Sequence, residues 1–380
     1  MRASGRDTRG DHGARPAVRP ATGVAGGSPA DTAAVEREAT KRGARTDRRV
    51  PTLDEVARLA GVSRSTASRV INGQSYVSAR ARAAVTEAVT RLGYRPNMLA
   101  RSLATRRTNS LALVVSEHGS RVLDDPFFAR LLRGVYAGLA GTGLQLVLLM
   151  DQDGQDHAAL GRYLCAGHVD GTLVVSLHGE DPLPGQLRSA GVPTVLVGRP
   201  LSTVDLPYVD ADNFNGAVAA ARHLAAAGRG TLVTIAGPRD MAVGIDRLAG
   251  WRCGMAAAGR RTAGVAHGDF TVEGGAAAMT RLLADHPDLD GVFAASDLMA
   301  LGAMRALRAA GRTVPDDVAV VGFDDSDLAA TAVPPLTTVR QPVEELGRTA
   351  TWRLLGELDA EDQLPPSVLL PTELVARASG

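Results

Sequence analysis

Residues 52–73 read Thr-Leu-Asp-Glu-Val-Ala-Arg-Leu-Ala-Gly-Val-Ser-Arg-Ser-Thr-Ala-Ser-Arg-Val-Ile-Asn-Gly. Thr52 with Glu55 three residues on forms a capping box, each side chain satisfying a free backbone N–H of the other. Leu53, Val56, Ala57 and Ala60 recur at helical spacing, so Leu53 to Ala60 is a short helix. Gly61 ends it, because glycine enters the left-handed conformation without steric cost. Ser63 then caps a second helix. Two short helices joined by a tight glycine turn make a helix-turn-helix. The second helix puts Ala67, Val70 and Ile71 on one face and leaves Arg64, Ser65, Ser68 and Arg69 outside. That outer face is all donors, which suits a helix lying in a DNA major groove.

Working outward, Ser78 caps a third helix with the apolar stripe Val85, Ala88, Val89 and Leu92, and Gly93 stops it. Tyr94, Arg95 and Pro96 break the chain. Asn97 can cap a further short helix, Met98 to Ala104. Residues 1–109 hold 21 Lys+Arg against 9 Asp+Glu, and the remainder 21 against 32, although the whole chain nets only +1. A basic N-terminal part on an acidic body points to one end that binds a polyanion. Residues 1–50 are rich in Gly, Ala, Pro, Thr and Arg and lack apolar periodicity, so disorder is expected. They are either a basic arm adding non-specific DNA affinity or a dispensable extension.

The length of 380 residues implies two or three domains. Cys165 and Cys253 are too few for a disulfide framework, so a reducing compartment is expected. There is no run of 18 apolar residues to cross a membrane and no apolar leader; a cytoplasmic, nucleoid-associated location follows as the expectation.

From Ser110 onward strands and helices alternate. Strands are expected at 111–115, 144–150, 171–175, 194–197, 231–236, 292–294 and 318–323. Helices are expected at 127–140, 160–166, 183–190, 215–227, 246–258, 272–284 and 297–310. Continuous apolar strands between helices mean parallel sheets covered on both faces. So many alternations exceed one ordinary sheet, and two lobes with a ligand cleft between them are expected.

The first segment resembles the DNA-binding headpiece and hinge of the lactose/galactose repressor family of bacterial transcription factors. The matching motifs are Leu53-x-x-Val56-Ala57, Ala60-Gly61-Val62-Ser63, Thr66-x-Ser68-Arg69-Val70-Ile71-Asn72, Val77-Ser78, Gly93-Tyr94-x-Pro96-Asn97 and Ala100-Arg101-x-Leu103. The body resembles the family's periplasmic-binding-protein-like effector domain through Asp210-x-Asp212-Asn213-x-x-Gly216, Arg247-Leu248-Ala249-Gly250-Trp251, Ser296-Asp297-x-Met299-Ala300, Val321-Gly322-Phe323-Asp324-Asp325 and Leu370-Pro371-x-x-Leu374. The resemblance implies an all-α helix-turn-helix headpiece (51–96), a hinge helix and linker (97–109) and an α/β two-lobed effector domain (110–380). Lobe one is placed at about 110–207 and 338–360, and lobe two at about 208–337 and 366–378, with the last strand, about Val368 to Val375, in lobe two. No heptad tail follows, so a homodimer on a near-palindromic double-stranded DNA operator is expected.

The resemblance also places roles. Arg64, Ser65 and Arg69 fall at base-reading positions, where arginine pairs bidentately with guanine; either arginine could instead touch only phosphate. Ser63, Thr66, Ser68, Asn72, Ser78, Tyr94 and Asn97 fall at phosphate-contacting positions, which fix register. Ala100 and Leu103 fall in the minor-groove hinge, with Leu103 as the wedge that bends DNA; read alone, Leu103 is an ordinary amphipathic-helix leucine. In the cleft, Arg247 and Asp324 match polar ligand contacts, Phe270 a stacking ring and Ser296 a polar neighbour. Phe127, Phe128 and Ser176 are candidates from the first lobe. Asp324 could instead cap a helix or loop, and Phe128 could be core. Gly198 and Ile245 replace an acid and an arginine of the lactose-binding branch, and Met241 and Val243 replace polar residues of the purine-binding branch. A different sugar or polyol is therefore the expected effector. Whether the effector induces or corepresses stays open.

No phosphate-binding Gly-x-x-x-x-Gly-Lys loop, His-Glu-x-x-His or Gly-x-Ser-x-Gly occurs. No catalytic residue, metal site or cofactor is expected. A transport-system solute-binding protein shares the effector fold, but the fused headpiece argues against it.

Overall fold

The computed structural model describes residues 51–73, 76–95, 107–117, 119–150, 157–359, 365 and 367–380. The expected hinge, with Asn97, Ala100 and Leu103, and residues 1–50 lie outside these. The chain divides into two compact units, Met1–Pro96 and Asn97–Gly380.

In the first unit the described helices are α1 (Leu53–Ala60), α2 (Arg64–Ile71) and α3 (Ala79–Leu92). Both halves of the capping box form: Thr52 N–H donates to Glu55 Oε2 at 2.8 Å, and Glu55 N–H to Thr52 Oγ1 at 3.3 Å. Gly61 (φ 64°) and Gly93 (φ 62°) turn the chain out of α1 and α3. Val56, Ala57, Ala67, Val85 and Ala88 form a small core, with Val70, Ile71, Leu92 and Tyr94 packed around it.

The second unit holds two six-stranded sheets. In the first lobe β1 (Ser110–Val115), α4 (Gly119–Asp124), α5 (Pro126–Leu139), β2 (Gln145–Met150), α6 (His157–Cys165), β3 (Gly171–Val175), α7 (Leu183–Ser189), β4 (Thr194–Val197) and β5 (Tyr208–Ala211) follow in order. The second lobe takes α8 (Asn213–Ala226), β6 (Leu232–Ala236), α9 (Ala242–Ala257), β7 (Gly264–His267), α10 (Val272–Asp285), β8 (Gly291–Ala294), α11 (Asp297–Ala309), β9 (Ala319–Asp324), α12 (Asp327–Thr331) and β10 (Thr337–Arg340). The chain then returns as α13 (Val343–Asp359) and ends with β11 (Ser367–Leu370) and β12 (Glu373–Val375). The sheet orders are β11-β5-β4-β3-β1-β2 and β12-β10-β9-β8-β6-β7. All pairings are parallel except β10 with β12. Strands β1, β3, β4, β6 and β8 are buried almost throughout, as a sheet covered on both faces requires.

Three lobe boundaries differ from expectation. β5 pairs with β4 (Val197 opposite Val209), so the first crossing follows Ala211 rather than residue 207. β10 pairs with β9 (Thr338 opposite Gly322), so the return follows Arg340 rather than preceding residue 338. The expected single last strand is two. β11 joins the first sheet beside β5, and β12 the second beside β10. Pro371 lies between them, where a missing N–H interrupts any ladder. Helix α9 starts a turn earlier than expected, because Met241 at its N-cap offers no side-chain cap to read.

Helices α5 and α13 cross closely on the first lobe. A Cβ at Gly134 would overlap the Glu344 carbonyl, and one at Gly347 the Leu131 carbonyl. Glycine at both positions is what lets the backbones touch.

Candidate functional site

The face of α2 opposite Ala67 is open. Arg64, Ser65 and Arg69 are exposed, while Thr66 and Ser68 are half-buried. Ser63 Oγ accepts from Thr66 N–H at 3.1 Å and lies 2.9 Å from Ser65 Oγ and 2.8 Å from Thr66 Oγ1. The helix N-terminus thus gathers three hydroxyls. Arg64 approaches Asp54 of α1 at 3.6 Å, an exposed pair that holds it weakly. Asn72 Nδ2 donates to Ser68 Oγ at 3.3 Å. Ser78 caps α3 through Ala81 N–H at 3.3 Å. The Tyr94 ring packs against the headpiece core, which leaves its hydroxyl as the polar part. Tyr76, which the sequence reading passed over, is almost wholly exposed, an unusual place for an aromatic ring.

In the second unit a cavity lies between the lobes. All seven candidates line it: Arg247, Phe270, Ser296, Asp324, Phe127, Phe128 and Ser176. Strand ends deliver them, as open α/β sheets do. Ser176 follows β3, Asp324 ends β9, and Ser296 follows β8 at the start of α11. Phe127 and Phe128 open α5, their rings edge to face at 5.3 Å. Phe128 also packs into the first lobe's core, so both readings of it hold.

Arg247 on α9 is only 3% exposed. Its Nε donates to Asn213 Oδ1 at 2.9 Å, and its Nη1 to the Ala295 carbonyl at 2.6 Å and to Asp324 Oδ1 at 3.3 Å. The guanidinium lies over the Phe323 ring, 3.7 Å from its centre. Gln341 Nε2 reaches Asp324 Oδ1 at 2.6 Å. Among the described residues Arg247 Nη2 has no hydrogen-bond partner, while the Asp324 carboxylate also accepts from the Asp297 N–H that opens α11. The pair therefore offers a free donor beside a carboxylate. Asp324 ends its strand facing the arginine and also bonds the first N–H of α11, so the capping reading of it holds as well.

Strain collects here. Ser176 (φ 60°), Phe270 (φ 64°) and Asp324 (φ 122°) hold left-handed backbone without being glycine, a conformation costing roughly 1–3 kcal/mol each that only surrounding structure sustains. Gly237 makes room for one of them, since a Cβ there would lie 2.5 Å from Phe270 Cζ.

Burial shapes the electrostatics. It presses the Arg247 guanidinium below its ordinary value against the pull of Asp324 and Asp210. It pushes Asp324 up to about 6, opposed by Arg247. Asp297 sits behind, accepting from Ser326 N–H at 2.7 Å and Thr338 Oγ1 at 2.5 Å. Burial and then the Asp324 charge push it up to about 7. Asp125, the N-cap of α5, is raised by burial against its bond from Phe127 N–H.

Sequence reasoning left out Arg121, Asp125, Arg199, Asp210, Asn213 and Gln341, which also line the cavity. Asp210 and Asn213 sat within a quoted motif. Arg199 belongs to the Gly198-Arg199 pair that also matches the family, whereas Gln341 carries no local signal, because only the crossing of the lobes brings it in. The lobes also touch directly. Arg130 of α5 donates to the Asp324 and Asp325 carbonyls, both at 3.1 Å, and Arg199 pairs with Asp246 of α9 at 2.8 Å.

A helix-turn-helix unit on the same chain as a two-lobed, strand-end cleft defines a DNA-binding regulator under small-molecule control. Residues 52–97 match the family model "Bacterial regulatory proteins, lacI family", and residues 221–380 match "Periplasmic binding protein-like domain". The chain belongs to the lacI family of bacterial transcriptional regulators. It is 49% identical over 337 residues to the HTH-type transcriptional regulator CelR of Thermobifida fusca, covering 88% of this chain and 99% of that one. It is 32% identical to the ribose operon repressor of Halalkalibacterium halodurans, covering 86% of this chain and 96% of that one. Among solved structures, a CelR–cellobiose complex matches with TM-score 0.70 at 48% identity, over 87% of this chain and 100% of that one. The lac repressor dimer bound to operator and the anti-inducer ONPF matches with TM-score 0.78 at 28% identity, over 87% and 99%. Among the described residues no helix is long and apolar enough to cross a membrane.

Proposed function

We propose that the chain is a cytoplasmic, dimeric repressor of carbohydrate-related genes, without catalytic activity, whose cleft takes a glucose disaccharide of the cellobiose type. The observation that carries the ligand class is the unpartnered Arg247 Nη2 beside the Asp324 carboxylate, set among the rings of Phe127, Phe128 and Phe270. A sugar hydroxyl can accept from the first and donate to the second, while the rings cover the apolar face of a pyranose. The likeness to CelR, solved with cellobiose, supports that sugar over ribose. In the headpiece, Arg64, Ser65 and Arg69 read bases, and Ser63, Thr66, Ser68, Asn72, Ser78, Tyr94 and Asn97 hold phosphates. Ala100 and Leu103 serve the minor-groove hinge.

The test is fluorescence anisotropy on an operator selected from random duplexes, titrated with cellobiose, ribose or lactose. Cellobiose alone should change operator affinity. A response to ribose but not to cellobiose overturns the ligand assignment, and failure to select any site overturns the regulator.

A further inference from the structure

His178 lies just beyond β3, two residues after the cavity-lining Ser176. Its Nε2 is 3.0 Å from Glu117 Oε1, on the first lobe beyond β1. Its Nδ1 is 2.9 Å from Asp240 Oδ2, on the second lobe in the loop before α9. The next residue reinforces the junction, Gly179 N–H donating to the Asp240 carbonyl at 2.6 Å. One imidazole ring therefore joins carboxylates from the two lobes.

The chemistry of that arrangement is restrictive. A neutral imidazole has one N–H and one lone pair, so it can donate to one carboxylate only. Two ionised carboxylates at hydrogen-bond distance require both ring nitrogens to carry protons. Glu117 stays within the first lobe whether the cleft is open or closed, and it is ion-paired with Arg121 of α4. Asp240 leaves when the lobes part. The other charged residues at this junction are Arg239, next to Asp240, and Glu180 and Asp181, next to His178 in its own loop; Asp181 accepts from Ser116 Oγ at 3.3 Å. Arg121 also reaches the second lobe, 5.3 Å from the Phe270 ring centre, and so links the same junction to the cavity.

We propose that His178 is a proton-dependent latch across the effector cleft, holding the lobes together as an imidazolium between Glu117 and Asp240 and releasing them when it loses a proton. The direction of its titration agrees: the Glu117 hydrogen bond raises it most, with burial opposing and Asp240 adding to the rise. A raised histidine favours the closed lobes below its titration midpoint, and that preference is lost as pH rises through it. The Asp240 end is more than half exposed to water, so the latch is weak enough to be reversible. Effector affinity then depends on proton supply as well as on sugar. This rests on the cleft being the effector site.

The protein carries its own reporters, because Cys165 on α6 and Cys253 on α9 are exposed free thiols, one on each lobe. A donor and acceptor dye on these, with labelled chains diluted into unlabelled protein, report the lobe separation within one chain. Without effector, the separation should widen sigmoidally as pH rises above the ordinary histidine value. In His178→Gln and in Asp240→Asn it should be flat there. A flat wild-type profile, or an unchanged midpoint in His178→Gln, overturns the latch. With cellobiose, wild-type affinity should fall by up to about tenfold per pH unit on the alkaline side, the limit for one linked proton, and Asp240→Asn should lose that slope. Absence of cellobiose binding at every pH would overturn the sugar assignment, while the effector-free distances would still decide the latch.

Discussion

The headpiece and the cleft are built in opposite senses. In the headpiece the small core of Val56, Ala57, Ala67, Val85 and Ala88 faces inward and the candidate base contacts Arg64, Ser65 and Arg69 face water. In the cleft the candidate contacts are themselves buried: Arg247, Ser296 and Phe270 are each under 9% exposed. A reading surface can lose a side chain without losing its fold. A cleft made of buried polar groups cannot, because each group is also another's hydrogen-bond partner. Substitutions should therefore separate function from stability in one unit and confound them in the other.

Arg247→Ala strips partners from Asn213 Oδ1, the Ala295 carbonyl and Asp324 together. Removing one member of a buried charged pair typically costs about 3–5 kcal/mol. For a unit of this size each kcal/mol lowers the melting temperature by roughly 2–4 °C, so the fall should be of order 10 °C, with effector response abolished. Calorimetry on the full chain measures it. A melt within a degree or two of wild type would mean that the guanidinium is a replaceable ligand contact and not part of the frame.

Arg69→Ala is the counterpart on α2. Arg69 is exposed and makes no described ion pair, so the melting curve should not move. If it reads guanine, specific operator affinity should fall by about 1–3 kcal/mol, roughly 5- to 150-fold, while effector affinity stays unchanged. Equal losses on specific and random duplexes would reassign Arg69 to phosphate.

The same contrast explains what was legible in the sequence. Headpiece structure is local: Thr52 with Glu55, Gly61, Ser63, Ser78 and Gly93 each act within four residues of themselves, and all appear where their caps and turns require. The effector fold was legible as alternating strands and helices, because strands buried on both faces are apolar throughout. The seven quoted cleft residues all reach one cavity, by resemblance and not by spacing. Lobe membership was less visible, since β5, β10 and β11 are short strands whose sheet is decided by which neighbour they meet at a crossing. β7 was missed because an edge strand of four residues, three of them half-buried, has no long apolar run. Gln341 and Arg199 were missed for a related reason: their partners, Asp324 and Asp246, lie 17 and 47 residues away.

The smallest effect sharpens the comparison by pH alone. Burial raises Asp324 to about 6 and Asp297 to about 7, so the folded effector domain binds protons that an unfolded chain releases near its ordinary carboxylate value. Stability falls with rising pH wherever the folded state holds more protons, so these two acids make the domain less stable as pH rises toward 7. His178 works in the same direction. Its raised titration gives stability that is present at low pH and lost as pH rises through its midpoint. Asp325 is the opposite case, because Arg377 and Arg340 outweigh burial and hold it below its ordinary value. Its stabilisation is lost only in stronger acid and does not change between pH 6 and 8. The sum predicts a higher melting temperature for the effector domain at pH 6 than at pH 8. The difference should correspond to about 1–2 kcal/mol, or roughly 3–6 °C. Scanning calorimetry at the two pH values reads it, and His178→Gln should remove part of the difference while leaving the part due to the acids. A melting temperature that rises from pH 6 to pH 8 would mean that Asp324 and Asp297 are ionised at no cost, and that the closed cleft holds water enough to solvate them.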